Sequence, residues 1–108
     1  MATLVLKTLN CVKTEDAEGH DECRIEVFCD TGLQVLEKDM SASDTWQIDK
    51  PFEFQGSISV KLWDMDLGYW PDYHDYLGEI KIQAAPVTGI VQEYTGEGSH
   101  YKLTYDVK

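Results

Sequence analysis

Residues 22–29 read Glu-Cys-Arg-Ile-Glu-Val-Phe-Cys, and in this stretch charged side chains alternate with apolar ones. Cys23, Ile25 and Val27 fall on one face of an extended chain, and the charged residues that separate them fall on the other. A repeat of two is typical of a strand that buries one face. The stretch therefore predicts a half-buried β-strand, with Cys29 continuing its buried face.

The same alternation recurs along the chain. In residues 57–63, Ile58, Val60 and Leu62 point one way while serine and lysine point the other. No segment of a dozen residues has the spacing of an amphipathic helix. Seven or eight short strands joined by turn-forming residues indicate an all-β fold, an antiparallel β-sandwich or a barrel. The further strands are predicted near residues 3–12, 33–38, 45–54, 77–84 and 101–107, with a turn at 96–99.

Length and composition fit one domain covering residues 1–108. The chain is 43% hydrophobic and contains twelve aromatic residues, which is enough apolar surface for one core. No apolar run approaches the roughly 18 residues of a transmembrane helix. Lys7 interrupts the apolar start before a secretory signal could form. We expect a protein without a visible signal peptide that is cytoplasmic, or a segment of a longer chain.

The negative charge is local. Twenty acidic residues against nine basic ones give a net charge of −11, which argues against nucleic acid as a partner. Residues 14–22 hold five of the acids and residues 64–75 hold four, and neither window contains lysine or arginine. The rest of the chain is nearly neutral. The two windows therefore form the main candidate for a functional site.

On the predicted strand map, both acidic windows fall in loops. Crowded carboxylates repel one another and cost stability unless they lie well apart or a cation is bound. Calcium takes about six to eight oxygen ligands and accepts aspartate side chains on flexible loops. Asp64 and Asp66, two apart at the end of a strand, suit such a site. An ordinary solvated acidic loop is the alternative for either window.

The order of the acidic motifs resembles the C2 domain family, a group of calcium-dependent membrane-binding β-sandwiches. The motifs are Asp-Ala-Glu-Gly-His-Asp at 16–21, Asp-Met-Asp at 64–66 and Asp-Tyr-Leu-Gly at 75–78. The resemblance implies a C2-like sandwich in which two loops bind calcium ions at one end. The second loop is long and inserts Asp72, which is an alternative or additional ligand to Asp75. The ligands implied in this way are Asp16, Asp21, Asp64, Asp66 and Asp75, with Asp72.

Aromatic side chains lie between the carboxylates of the second window. Such side chains suit a lipid interface, a sugar ring or a protein surface, and covering the loop base is the alternative. We expect calcium-dependent binding of a partner or a membrane, or a calcium ion that only stabilises structure. A calcium-assisted carbohydrate-binding module is the competing function. The candidate contact residues are Leu67, Tyr69, Trp70 and Tyr73.

An enzyme is not expected. Ser99 and His100 are adjacent, so in a strand they point to opposite faces and do not form a nucleophile and base pair. The three cysteines, Cys11, Cys23 and Cys29, lack the short spacings of a zinc site. We interpret them as small buried hydrophobic residues, with one disulfide and one leftover thiol as the alternative.

Overall fold

The computed structural model describes residues 1–14, 20–65 and 74–108. These residues form eight β-strands and one short 3₁₀ turn, which lies at the turn predicted before the last strand. The strands are β1 (Ala2–Lys13), β2 (Asp21–Cys29), β3 (Gly32–Met40), β4 (Thr45–Phe54), β5 (Ser57–Met65), β6 (His74–Gln83), β7 (Val87–Tyr94) and β8 (His100–Val107), and the 3₁₀ turn is Gly96–Gly98.

The strands form two four-stranded antiparallel sheets. The first sheet has the order β4-β1-β8-β7 and the second has the order β3-β2-β5-β6. Every described strand pair is antiparallel. The inner faces of the two sheets share one apolar core. The prediction of an all-β antiparallel sandwich is confirmed, and the barrel alternative is wrong.

The alternation seen in the sequence is what builds this core. In β2, Cys23, Ile25 and Val27 are buried, and the residues between them are half-buried on the outer face. Strand β5 lies beside β2, with Val60 opposite Val27. Because paired residues of neighbouring strands point to the same face, their apolar side chains meet at the core. The largest side chains of the core with under 2% exposure include Tyr101, Phe54, Leu4, Leu6, Leu9, Met40 and Leu103.

Strand β7, which covers Val87–Tyr94, has no counterpart among the predicted strands. It lies at the edge of its sheet, and of its residues only Tyr94 is fully buried. An edge strand with little buried surface shows no apolar alternation, so pattern reading misses it. The Tyr94 hydroxyl nevertheless donates a 2.8 Å hydrogen bond to the carbonyl oxygen of Val60, which joins the two sheets.

A β-bulge interrupts the pairing of β5 with β6. Leu62 lies opposite Gly78, but Trp63 lies opposite Tyr76, so Leu77 is an extra residue. Ile80 and Ile82, even-numbered residues of β6, are buried, so the alternation would bury Tyr76 and expose Leu77. The structure shows the reverse, because Leu77 is buried and Tyr76 is exposed. A bulge re-aims the side chains that follow it. From this point towards the strand start, inner and outer faces of β6 are exchanged.

Among the described residues, no helix is long and apolar enough to cross a membrane.

Candidate metal site

Three of the aspartates named by the sequence lie at the same end of the second sheet. Strand β5 ends here, while β2 and β6 begin here. Asp64 of β5 lies opposite Cys23 of β2 and opposite Asp75 of β6. Asp21 lies two residues before Cys23, so it shares the inner face with it. The sheet therefore places Asp21, Asp64 and Asp75 on one face at one end.

The bulge at Leu77 is what gives Asp75 its place in this group. Without the extra residue, Asp75 would follow Glu79 onto the outer face of the sheet. With it, Asp75 pairs with Asp64 and is half-buried. Sequence spacing names Asp75 as a candidate but does not show this change of face.

Asp21 and Asp64 are buried to an unusual degree for carboxylates. Asp21 is 0% exposed and Asp64 is 2% exposed, whereas aspartate is seldom fully buried unless it is paired or bonded. The backbone N–H of Glu22 donates a 2.9 Å hydrogen bond to Asp64 Oδ1. This bond holds the Asp64 carboxylate against Glu22, the residue that follows Asp21 in β2.

A chain of polar groups continues from Asp21 into the core. The Tyr101 hydroxyl, on β8 of the other sheet, donates a 2.5 Å hydrogen bond to Asp21 Oδ2. The Cys23 thiol in turn donates a 3.3 Å hydrogen bond to the Tyr101 hydroxyl. Tyr101 is 0% exposed, so the hydroxyl that supports Asp21 is shielded from water.

The surroundings keep these supporting groups protonated. Burial raises the pKa of the Cys23 thiol to about 12; the negative charges of Asp21 and Asp64 add to this rise, and the hydrogen bond with Tyr101 opposes it. Burial also raises the pKa of the Tyr101 hydroxyl, and its bond to the Asp21 carboxylate raises it further. Both groups therefore act as hydrogen-bond donors near neutral pH.

The three cysteines are free thiols, in agreement with the interpretation from their spacing. Cys11 and Cys23 are buried, and Cys29 is half-buried. Burial raises the pKa of Cys11. None of the three cysteines forms a disulfide.

The expectation that both acidic windows are loops is wrong for the three aspartates that the structure describes. Asp21 is the first residue of β2, Asp64 lies inside β5, and Asp75 lies inside β6. The strands extend into the windows because backbone pairing continues beyond the last apolar residue, where side-chain alternation no longer reports it. The carboxylates therefore stand on a paired backbone, which fixes their positions more firmly than a loop does.

The other predicted site residues lie outside the described residues. This holds for the metal-ligand candidates Asp16, Asp66 and Asp72, and for the contact candidates Leu67, Tyr69, Trp70 and Tyr73.

Chemically, the described group offers hard oxygen donors from three strands. Calcium requires about six to eight oxygens, so Asp21, Asp64 and Asp75 supply part of such a shell. Thiols lie directly behind the carboxylates, but Cys23 is held as a protonated donor and is a poor metal ligand in that form. The donor set fits a hard cation better than a soft one.

A second group of ligand-type side chains was not foreseen from the sequence. His20, Glu22 and Asp39 have ligand atoms that all lie within 4.8 Å of one another. Glu22 and Asp39 are partners across β2 and β3, and this pairing is invisible in the sequence because Asp39 lies in neither acidic window. The His20 Nε2 atom lies 3.9 Å from Asp39 Oδ2. Exposed acidic groups of this kind are common in proteins that bind no metal there, so we do not propose a metal site at His20, Glu22 and Asp39.

An aromatic and charged hollow lies on the outer face of the second sheet. It has a volume of about 320 Å³ and is lined by Arg24, Glu26, Trp63 and Met65. The Trp63 indole N–H donates a 2.7 Å hydrogen bond to Glu26, and the Arg24 Nε donates one of 3.1 Å to the same carboxylate. The Trp63 ring contacts the ring of Tyr76, with centroids 4.9 Å apart.

Comparison of the chain with models of known protein families gave no match, and comparison with curated proteins gave none. The resemblance to C2 domains therefore rests on the sequence motifs, and the fold that carries these motifs is an antiparallel β-sandwich.

Proposed function

We propose that this protein is a calcium-binding β-sandwich module of C2-like type, with calcium held at the end of the sandwich where β2, β5 and β6 present Asp21, Asp64 and Asp75. The observation that carries the proposal is the burial of two carboxylates, Asp21 and Asp64, on the same face of the sheet at the end predicted to bind metal. Burying negative charge is costly, and a bound divalent cation offsets that cost.

The choice of calcium follows from the donors. Asp21, Asp64 and Asp75 offer carboxylate oxygens, which suit a hard cation with a large, adaptable shell. Asp16, Asp66 and Asp72 are proposed as further ligands from the sequence motifs, with Asp72 and Asp75 as alternatives or joint ligands.

The module would act by calcium-dependent binding rather than by catalysis. In this proposal calcium neutralises the acidic end, and a partner then binds the apolar and aromatic residues of the second acidic window. These residues are Leu67, Tyr69, Trp70 and Tyr73. Two calcium ions add four positive charges to a chain of net charge −11, so the loaded protein stays negative. A protein partner or a purely structural role is therefore favoured over an anionic membrane.

Calcium titration with thermal melting tests the proposal. At a calcium concentration of a hundred times Kd, the free energy of unfolding rises by about 2.7 kcal/mol per site. In a domain of this size, each kcal/mol raises Tm by about 4 to 8 °C. Asp64→Asn is expected to abolish most of this rise. The matched control is Asp30→Asn, an exposed aspartate in the turn at the opposite end of the sandwich, which should keep the full calcium response.

A melting curve that is the same in millimolar calcium and in chelator would overturn the proposal. An equal response in Asp64→Asn and Asp30→Asn would show a diffuse acidic field instead of a coordination site. Co-sedimentation with anionic vesicles only in calcium, weakened by Trp70→Ala, would move the target from a protein to a membrane.

A second candidate, a calcium-assisted carbohydrate-binding module, is favoured by the hollow lined by Arg24, Glu26, Trp63 and Met65. Aromatic rings stack on sugar faces, and charged side chains fixed in place bind hydroxyl groups. Glycan-array binding that is lost in Trp63→Ala would support this function. An array without hits would leave the partner-binding module as the better interpretation.

A further inference from the structure

Behind the acidic end, one buried tyrosine joins the two sheets through a carboxylate. Tyr101 belongs to β8 of the first sheet, and its hydroxyl donates to Asp21 of β2 in the second sheet. The donor and the acceptor are 80 residues apart in the sequence. Both side chains are fully buried, so water does not compete for the bond.

This contact fixes how the Asp21 carboxylate is turned. A hydrogen bond from a fully buried hydroxyl to Oδ2 selects one rotamer of the aspartate and so determines the direction of Oδ1. The tyrosine ring is itself held by core packing, because Tyr101 is among the largest side chains of the core with no exposure. The Cys23 thiol donates to the same hydroxyl oxygen, which leaves the hydroxyl hydrogen for Asp21.

We infer that Tyr101 is a positioning residue of the calcium site, whose hydroxyl holds Asp21 in the orientation that binds the ion. The inference rests on the proposed function, because it takes Asp21 as a calcium ligand. Groups that hydrogen-bond to metal ligands orient them, and removing such a group typically weakens metal affinity by about 10- to 100-fold. Tyr101 would therefore set the affinity of the site without touching the ion.

Tyr101→Phe tests the inference, since it removes the hydroxyl and keeps the ring. Tyr94→Phe is the matched control, because it removes another buried tyrosine hydroxyl that joins the two sheets, here through Val60 in the middle of β5. Calcium binding is measured by calorimetry, and stability is measured in chelator. We expect Tyr101→Phe to raise the calcium Kd by about 10- to 100-fold. Tyr94→Phe should lower stability and leave Kd unchanged.

Europium luminescence adds a measurement that would not change if Tyr101 only stabilised the fold. With Eu³⁺ in place of calcium, luminescence lifetimes in H₂O and D₂O report the number of water molecules on the ion. A misplaced Asp21 is replaced by water, so this number should rise in Tyr101→Phe and stay constant in Tyr94→Phe. In the Asp21→Asn background, Tyr101→Phe should have no further effect on Kd, because its action passes through Asp21.

The outcomes separate the inference from the proposed function. If the wild-type protein binds calcium and Tyr101→Phe binds it equally well, the inference is wrong and the calcium site stands. If the wild-type protein binds no calcium, the proposed function fails and the inference fails with it. If Tyr101→Phe does not fold, 4-fluorophenylalanine at position 101 replaces it, since the fluorine fills the space of the hydroxyl and donates no hydrogen bond. An unchanged Kd in that variant would then overturn the inference.

Discussion

At the scale of single residues, buried carboxylates carry most of what is unusual in this protein. Asp21 and Asp64 lie at the acidic end, and a third, Asp106 of β8, lies at the other end of the first sheet. Asp106 Oδ1 accepts a 2.7 Å hydrogen bond from the backbone N–H of Gly89, and Oδ2 lies 3.4 Å from the Lys7 ammonium. Each of these buried carboxylates is bonded to a neighbouring strand or turn, as burial requires.

Asp106 leads to a prediction on pH dependence. The hydrogen bond from Gly89 lowers the pKa of the Asp106 carboxyl, burial opposes this, and Lys7 lowers it further. Because the folded pKa lies below the unfolded value of about 3.9, the stabilisation is present above pH 4 and is lost as pH falls through the folded pKa. In chelator, Asp106→Asn should therefore lower Tm clearly at pH 6 to 7 and progressively less as the pH falls below 4.

Lys7→Gln serves as the control for this measurement. It removes the half-exposed ammonium and keeps the Gly89 bond, which is the largest cause of the lowered pKa. Its pH-dependent loss of Tm should be smaller than that of Asp106→Asn. A loss for Asp106→Asn that is the same at every pH would contradict the assignment.

At the scale of elements, the bulge at Leu77 decides which side chains of β6 face the core. Two glycines accompany it. Gly78 has a φ of +144°, which side-chain-bearing residues rarely adopt, and a Cβ there would lie 3.1 Å from the Tyr94 ring. The 3₁₀ turn packs against the bulge so closely that a Cβ on Gly96 would lie 2.5 Å from the Leu77 carbonyl oxygen. The bulge is therefore fixed by backbone contact from the turn before β8.

Gly96→Ala should disturb the acidic end from a distance. The added methyl group has to displace backbone, which costs about 1 to 3 kcal/mol, and moving Leu77 changes the face presented by Asp75. We expect a lower Tm in chelator together with a smaller rise of Tm on adding calcium. Gly98→Asn in the same turn is the control. A Cβ at Gly98 meets no atom within 4 Å, and asparagine tolerates the positive φ of this position, so this variant should keep the calcium response. If Gly96→Ala keeps it in full, the bulge does not govern the site.

At the scale of the whole molecule, charge and topology act together. The chain carries a net charge of −11, and the three described aspartates of the acidic end come from three neighbouring strands, β2, β5 and β6, of the second sheet. The radius of gyration is 13.7 Å, while the Debye length is about 30 Å at 0.01 M salt and about 10 Å at 0.1 M. The molecule is 41 Å long, so the electrostatic field of the acidic end extends over most of the molecule at low salt and only over nearby residues at moderate salt.

This comparison of lengths predicts how salt and calcium interact. In chelator, raising NaCl from about 0.01 M to about 0.1 M should raise Tm, because screening reduces repulsion among the carboxylates. With calcium bound, the same change of salt should raise Tm less, since the ions have already neutralised part of the charge. Thermal melting at both salt concentrations, with and without calcium, measures the difference. Equal salt responses would show that calcium does not bind at the acidic end.

The sequence by itself determined the fold class and the identity of the candidate ligands. Strict alternation in β2 and β5 predicts both strands and their buried faces, because a half-buried strand has a period of two. Local crowding of acids without basic residues singles out the two windows 14–22 and 64–75, since charge density is a property of the sequence, and the resemblance to C2 domains implies which of their aspartates bind metal. The edge strand β7 was not predicted, because it buries few side chains and its sequence has no apolar alternation.

Only the tertiary structure decided how these residues are used. The bulge at Leu77 turns Asp75 to the inner face, and Tyr101 reaches Asp21 from the opposite sheet across 80 positions of sequence. Neither the bulge nor the Tyr101 contact follows from the local sequence pattern. The bulge depends on how β6 pairs with β5 and on Gly96, which packs against Leu77. The Tyr101 contact depends on how the two sheets stack. The burial of Asp21 and Asp64 has the same origin, since long-range packing and not the residue type removes a carboxylate from water.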